Sequence, residues 1–572
     1  MSVTGPTKSN RSGSAIGSPG LAPCLIFLVL IAPRLGPQQP TGLGEAATAS
    51  AEQYRREGIA LLEQRKLREA LARFRSAVEL DPADAISHDY IGVILGDVGI
   101  TAAVVAEFQK AIESDPSFCP AHYHLALAYD RTGRTAEAIE EYQQALRFKP
   151  DLVEARYALS AACWKMGDLD GAISLLQEIV AAKPQFWEAR YNLGLELWQR
   201  YRQPEKLPHK TDLDEAILQL RAAVQQQPEQ PKIYLALGQV LAETQDPSGA
   251  LQILRKAADL APRDPAYCYS LGQALRMKGD LEAAEAELRK ALQLDPQQVP
   301  ARRSLGLVLR QKGDLQAAAV ELRLAASQQP ENAEVRHNLG AVLLGLNDLR
   351  GAIDELRQAV RLDPYSSEAR LTLARALQRA GEDGPAQKER EEAQRIDALH
   401  RARGRAVVLL QAAADHLQAG DTAKALAELR EATTLSPDFA EAHWQLAAAL
   451  GQSSGDLAEI IKELHTVFEL NPDYARAHFQ LGLARQKQGL TGLAKAEFSR
   501  ALELAPSLCE ARRALAEMAA AERDWPKVIA EYQKYLAWRP NDDAVQKALS
   551  AAQENLKRQQ SRNSHLIDEP AH

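Results

Sequence analysis

Aromatic residues are scarce in this 572-residue chain: ten Phe, six Trp and fifteen Tyr make up 5% of it, against 46% hydrophobic residues overall. A core of stacked rings is excluded. Close packing must come from Ala, Leu and other small aliphatics, which favours helices set near one another. A basic excess is also missing. Lys and Arg total 68 against 76 Asp and Glu, a net charge of −8, so the cationic footprint of nucleic-acid proteins is absent and no such partner is expected. Cysteine is sparse: Cys24, Cys119, Cys163, Cys268 and Cys509 are too dispersed for a disulfide framework, and no CxxC pair offers a zinc knuckle. They read as buried free thiols.

Long apolar runs are confined to residues 24–32, CLIFLVLIA, preceded by a polar Ser/Gly-rich segment carrying Lys8 and Arg11. Nine residues fall short of the roughly 20 that span a bilayer but suit a signal-peptide apolar region of about 7–15. Residues 1–50 are therefore expected to form a signal peptide or short hydrophobic leader. Ala47-Thr48-Ala49 offers a small-x-small cleavage site that would release a chain starting at Ser50. Export to the periplasm or outside the cell is expected, the alternatives being a short uncleaved membrane anchor or a cytoplasmic chain. Membrane contact is expected at most through this leader. Cys24 is not expected to carry a lipid, because it stands ahead of the apolar core, at the first position of the run, and follows Pro23.

Length alone suggests three or four domains at about 150 residues each. A period replaces that estimate. Pro82, Pro116, Pro150 and Pro184 lie 34 apart, Pro228 through Pro262, Pro296, Pro330 and Pro364 repeat the interval, and Pro437, Pro472, Pro506 and Pro540 continue it at 35, 34 and 34. With the proline at position 32, fourteen units fill residues 51–542. Position 8 is small in every unit, as at Gly272, Gly306, Gly340 and Ala374, and large residues recur at positions 7, 11 and 24, as with Leu237, Leu241 and Leu254. Two helices must meet closely at position 8. Position 15 is Gly in most units, including Gly133, Gly279, Gly313 and Gly420, with Asn347 in another, which suits a left-handed turn between helices.

Units such as PAYCYSLGQALRMKGDLEAAEAELRKALQLDP from Pro265 resemble tetratricopeptide repeats. The resemblance implies an all-α, right-handed superhelical solenoid, with repeats one to ten over 51–400, a basic insertion at 401–405, and repeats eleven to fourteen over 406–542. Residues 543–558 should form a polar capping helix and 559–572 a disordered tail. At position 4 the chain departs from the family, placing His122, Arg156, Arg190 and His478 where a large aromatic is usual; looser packing is expected there. Ten extra residues near 201–210, with Pro204 and Pro208, should form a protruding loop. The five residues 401–405, with three arginines, read as a lengthened helix or kink rather than a basic docking site.

Enzymatic signatures are missing: HExxH, GxSxG, a Walker A loop, a dinucleotide glycine fingerprint and an EF-hand loop are all absent. Cys119, His122 and His124 form a tight Cys/His group, but the two histidines point about 200° apart on a helix and do not share a metal simply. Neither catalysis nor a metal or cofactor is expected. Some glycosyltransferases carry such repeats before a catalytic region; here only 30 residues follow Asp542.

The resemblance also implies a concave groove lined by the first helix of each unit, with positions 2, 5, 6, 9, 12 and 13 meeting a protein or peptide ligand. Those positions give an aromatic ladder of Tyr123, Tyr157 and Tyr191 with Trp164 and Trp198, suited to apolar side chains. They then give Arg276, Arg303, Arg310, Arg375 and Arg379, opposed mainly by Glu334 and Glu368, a stretch suited to an acidic peptide. Gln411, Gln445 and Gln480, together with Asn192 and Asn338, present amides able to pair with an extended backbone, beside Trp444 and Phe479. The Lys/Asn constellation with which chaperone-binding relatives grip a terminal carboxylate is absent. The expected function is a non-catalytic interaction scaffold, the alternative an accessory subunit presenting substrates to a separate glycosyltransferase or polysaccharide-export machine.

Overall fold

The computed structural model describes residues 43–567 apart from 98, 100–101, 204–210, 245, 454–455 and 540–541. The apolar run at 24–32 and most of the insertion near 201–210 lie outside these residues. Among the described residues the chain forms 28 helices and no strand, beginning with Leu43–Glu63 and ending with Asp543–Ile567. None is long and apolar enough to cross a membrane. Two units emerge: residues up to Ala189 together with those from Asp456 onward, and Arg190–Gly455. Each is a stack of helix pairs, a first (A) helix followed by a second (B) helix.

Position 8 sets how closely A and B approach. A Cβ added to Gly306 would lie 2.6 Å from the Leu322 Cγ, and one added to Gly340 equally close to that of Leu356. Missing side chains on A are thus filled by position 24 of B, and Leu322 and Leu356 are completely buried. Truncating either to Ala should cost about 2–5 kcal/mol. The turn between A and B is equally local. Gly313 takes φ 88°, its N–H donates to the Arg310 carbonyl at 3.1 Å, and the Asp314 N–H donates to Leu309 at 3.0 Å. Asp314 then caps the B helix by accepting from the Ala317 N–H at 3.0 Å. The dipeptide Gly-Asp therefore ends one helix and starts the next.

Position 4 corrects the expectation of looser packing. His122 contacts the Pro116 carbonyl at 3.1 Å through Nε2 and Glu141 at 2.6 Å through Nδ1. Arg302 donates to the Pro296 carbonyl at 2.7 Å and to Glu321 at 2.8 Å, and Arg336, Arg370 and His478 repeat the arrangement. Each basic side chain ties the proline turn before its helix to position 23 of the following B helix. Proline leaves a carbonyl to be satisfied at every turn, and an aromatic ring could not donate to it. Arg190 bonds Gln219 at 2.6 Å instead of an acid.

The lengthened helix expected at 401–405 is present, and one expected boundary changes. Asp383–Gln418 is one uninterrupted helix of 36 residues, because the unit lacking its proline has Ala398 there and nothing stops the helix. It packs as B against Ser367–Arg379 and as A against Thr422–Leu435. Within it Arg403 lies 3.6 Å over the Phe439 ring, and Arg405 pairs with Glu431 at 3.6 Å. The terminal helix continues past residue 558 to Ile567, so the expected disordered tail is helical to that point. The first helix starts at Leu43 and includes Ala47, Thr48 and Ala49.

The unit containing both ends of the described chain holds a contact that no repeat frame implies. Asp168, the N-cap of helix Leu169–Ala182, accepts from the Gly171 N–H at 3.0 Å, from the Ser507 N–H at 3.0 Å and from the Ser507 hydroxyl at 2.8 Å. Arg476 reaches Asp170 at 2.8 Å. Tyr142, Leu146 and Leu175 share one apolar cluster with Cys509, Tyr532 and Trp538, and helices Thr135–Phe148 and Trp525–Trp538 pack together.

Candidate functional site

The A helices carry the expected binding positions, and their side chains divide into three kinds. Some are consumed by packing. Trp198 is only 4% exposed and belongs to the core, which corrects its expected place as a ligand anchor: truncating it would cost about 3–5 kcal/mol in packing before any ligand is considered. Asn192 and Asn338 are each 6% exposed. Arg379 is tied to the neighbouring A–B turn, donating to the Leu344 carbonyl at 2.9 Å and to the Asn347 side chain at 2.7 Å.

A second kind is half-buried and engaged at one end. In the first unit Tyr123 lies 6.1 Å from the Tyr142 ring and Tyr157 lies 5.2 Å from Phe186, while Trp164 is half-buried against the same apolar cluster. Phe479 meets Phe498 at 5.7 Å, with half-buried Gln480 beside it in sequence. In the Arg190–Gly455 unit, Lys232 sits 5.1 Å over Tyr191, and burial pushes the Tyr191 phenol up to about 12. Gln411 reaches Asp415 at 3.5 Å and Gln445 reaches Glu441 at 2.7 Å, so both amides bond within their own helix. Trp444 is half-buried. Tyr123 and Tyr157 fall in one unit and Tyr191 in the other.

The third kind keeps donors unspent. Arg276 stands near the end of helix Pro265–Lys278, and Arg303 and Arg310 stand on helix Val299–Lys312. All three are half-buried. Arg303 pairs with Glu334 of helix Ala333–Gly345. Burial, and then the Arg303 and Arg310 guanidinium groups, hold Arg276 below the ordinary arginine range, so the three cations share one neighbourhood. The Nε atoms of Arg276 and Arg303 are buried without an acceptor among the described residues. His337, from the adjacent A helix, is held below its usual value by burial, with Glu368 raising and Arg310 lowering it. It is therefore neutral at pH 7. Arg375 is exposed on the following A helix. Of the five expected arginines, the fold groups Arg276, Arg303 and Arg310 and gives Arg379 a structural task.

Sequence reasoning missed Tyr269, which the same arginines approach: burial raises its phenol, opposed by Arg303, Ser304 and Arg276. Its signal was present, since it occupies position 5, the register of Tyr191 and Arg303. His122 and His124 bond different carboxylates, Glu141 and Asp89.

Comparison with known families places repeat profiles along the chain. A profile for the cytochrome c-type biogenesis protein H TPR domain matches residues 185–324. Tetratricopeptide repeat profiles match 55–117, 107–140, 131–194, 333–366 and 475–508, and a TPR repeat profile matches 415–454. No curated protein shows significant similarity to the chain. Among solved structures, MamA from Desulfovibrio magneticus RS-1 is 25% identical, covering 29% of this chain and 94% of its own, with a TM-score of 0.28. YrrB, described as a TPR protein with an unusual peptide-binding site, is 26% identical over 36% of this chain and 97% of its own, with a TM-score of 0.31. Yeast Tom70 is 14% identical over 77% of this chain and 96% of its own, with a TM-score of 0.32.

Proposed function

Because the chain belongs to the tetratricopeptide-repeat family, we propose that it is a non-catalytic scaffold that holds a segment of a partner protein along the A-helix face of residues 190–455. The observation that carries this reading is the group of half-buried arginines, Arg276, Arg303 and Arg310, whose donors are not exhausted inside the fold. Guanidinium groups recognise carboxylates and other oxyanions in fixed, paired geometry. Half-burial strengthens each contact relative to bulk water. An acidic segment is therefore the matching partner chemistry. YrrB, with its peptide-binding site, supplies a precedent within the family for peptide capture.

Export through the apolar run at residues 24–32 belongs to the same proposal, as a hydrophobic leader of signal-peptide length. Edman sequencing of the native protein tests it: a new N-terminus near Ser50 is expected, and an intact Met1 in a cytosolic fraction overturns it.

The scaffold reading is tested by affinity purification of the full chain beside the double charge reversal Arg310→Glu, Arg375→Glu. Recovery of the principal partner should fall by at least about tenfold, each reversal opposing an acidic segment. Unchanged recovery with unchanged helicity would move binding off this face. A transferase or export enzyme as the recurrent partner would replace the general scaffold by a substrate-presenting subunit.

A further inference from the structure

The charge balance around the arginine group favours one ligand over other acidic ones. Arg303 and Arg310 are seven residues apart, two turns on one face of their helix. That helix packs against both Pro265–Lys278, which brings Arg276, and Ala333–Gly345, which brings Glu334. Three cations thus face one carboxylate. His337 adds no charge at neutral pH, and it sits 3.2 Å from the Thr372 hydroxyl. Glu368 raises the His337 pKa while Arg310 lowers it, and the Glu368 carboxylate makes no ion pair with the three arginines among the described residues. The side chains of Arg276 and Arg310 make no hydrogen bond or ion pair with any described residue. The Glu334 side chain is 60% exposed and that of Arg303 20%, so the one counterion is the exposed partner of a largely covered cation. Two positive charges remain, half-buried, with buried Nε donors on Arg276 and Arg303 lacking acceptors. A single carboxylate offers one charge and two oxygens. A phosphomonoester at neutral pH carries about two charges and three strong acceptor oxygens, the number needed to meet three guanidiniums.

We propose that Arg276, Arg303 and Arg310, with the Tyr269 hydroxyl alongside, form a receptor for the phosphoryl group of a phosphorylated partner segment, and that Glu334 occupies Arg303 until that group displaces it. The peptide source of the phosphoryl group rests on the scaffold reading above; the anion site itself does not. Binding is charge-driven, so it weakens with added salt and as the phosphate dianion takes up a proton below about pH 6.

Isothermal titration of the full-length protein tests this with four probes: inorganic phosphate, the peptide Gly-Gly-phosphoSer-Gly-Gly, its unphosphorylated form and its Glu form. The phosphopeptide should bind at least about tenfold tighter than the Glu peptide, and inorganic phosphate should compete with it at one site. Arg276→Ala with Arg310→Ala should weaken both phosphate probes at least about tenfold, and circular dichroism should be unchanged because neither side chain has an internal partner. Glu334→Gln should tighten binding by about threefold, whereas Glu229→Gln, an equal charge change on an exposed residue, should not. Equal affinity for the Glu and phosphopeptides, or indifference to the arginine double variant, overturns the proposal. Phosphate binding with no gain from the peptide overturns the peptide source. If partner recovery depends on Arg310 and Arg375 while phosphate does not bind, the scaffold stands and the phosphoryl site falls; the reverse result removes the scaffold reading alone.

Discussion

Helix Leu169–Ala182 and helix Val299–Lys312's own partner, Leu315–Gln328, are both B helices of one repeat frame, yet only the former is buried well beyond its repeat contacts. In Leu315–Gln328 the buried residues are Ala318, Ala319, Leu322, Ala325 and Ala326, the stripe that its own and the adjacent pair require, and Val320 and Leu324 stay exposed. In Leu169–Ala182 burial extends to Leu169, Gly171 and Leu175. Position 23 makes the difference concrete. It is Glu321 in one helix, bonded to Arg302, and Leu175 in the other, packed in a cluster that includes Cys509 and Tyr532. Arg156, deprived of an acid at that position, reaches Glu178 at 3.3 Å. A repeat frame thus fixes which residues face the neighbouring pair, while the outer positions differ between units, and in Leu169–Ala182 they are covered.

The largest expected effect comes from making the two helices alike. Leu175→Glu installs the residue that position 23 usually carries and offers Arg156 its missing partner, but it also places a carboxylate among apolar side chains. A loss of about 3–5 kcal/mol in chemical denaturation of the full chain is expected. A neutral or stabilising outcome would mean that the docking of residues 456–567 on this helix does not contribute to stability.

A smaller effect separates the two N-caps. Asp168→Ala removes a cap and both bonds from Ser507, for a loss of about 2–4 kcal/mol, whereas Asp314→Ala removes only a cap, for about 1 kcal/mol. Adding Ser507→Ala to each should reveal a coupling energy of about 1–2 kcal/mol with Asp168 and none with Asp314. Equal losses at the two aspartates would erase the distinction.

The clamps at position 4 should show no such contrast. His122→Ala and Arg302→Ala each release a proline carbonyl and a glutamate, and each should cost about 1–3 kcal/mol, agreeing within about 1 kcal/mol because both clamps are local, joining a proline turn to the repeat that follows it. A wider gap would show that docking reaches these interior contacts too.

The smallest effect is a pH dependence. Burial raises the Asp168 pKa, opposed by the bonds from Ser507 and Gly171. The folded protein therefore keeps this proton at a pH where the unfolded chain has lost it, so the contribution is full below the unfolded value near 3.9 and declines as pH rises through the folded value. Measured against Asp168→Asn, which does not titrate, the relative stability of the native protein should fall with rising pH across that window. A rise would show that the Ser507 contacts outweigh burial.

Much of the fold was legible because its determinants lie within 34 residues of one another. Gly306 needs Leu322, and Gly313 ends one helix where Asp314 begins the next. The position 4 clamp was written in the sequence as a basic residue followed nineteen positions later by Glu, as in Arg336 and Glu355 or His478 and Glu497, but the carbonyl that gives it a purpose belongs to a backbone bent by proline and is invisible as a letter. The candidate site was less legible. Arg276, Arg303 and Arg379 occupy similar registers, and only packing shows that Arg379 serves a turn, that Arg303 holds Glu334 and that Arg276 has no counterion among the described residues. Trp198 reads as a surface ring by register and is core by burial.

By itself the sequence determined the unit: two helices whose small and large residues interlock, a left-handed turn and a proline exit, all contacts made over short stretches of chain. Tertiary structure decided which faces stay open and which are covered. The bond between Asp168 and Ser507 joins residues 339 positions apart, a separation that no pattern repeating every 34 residues encodes.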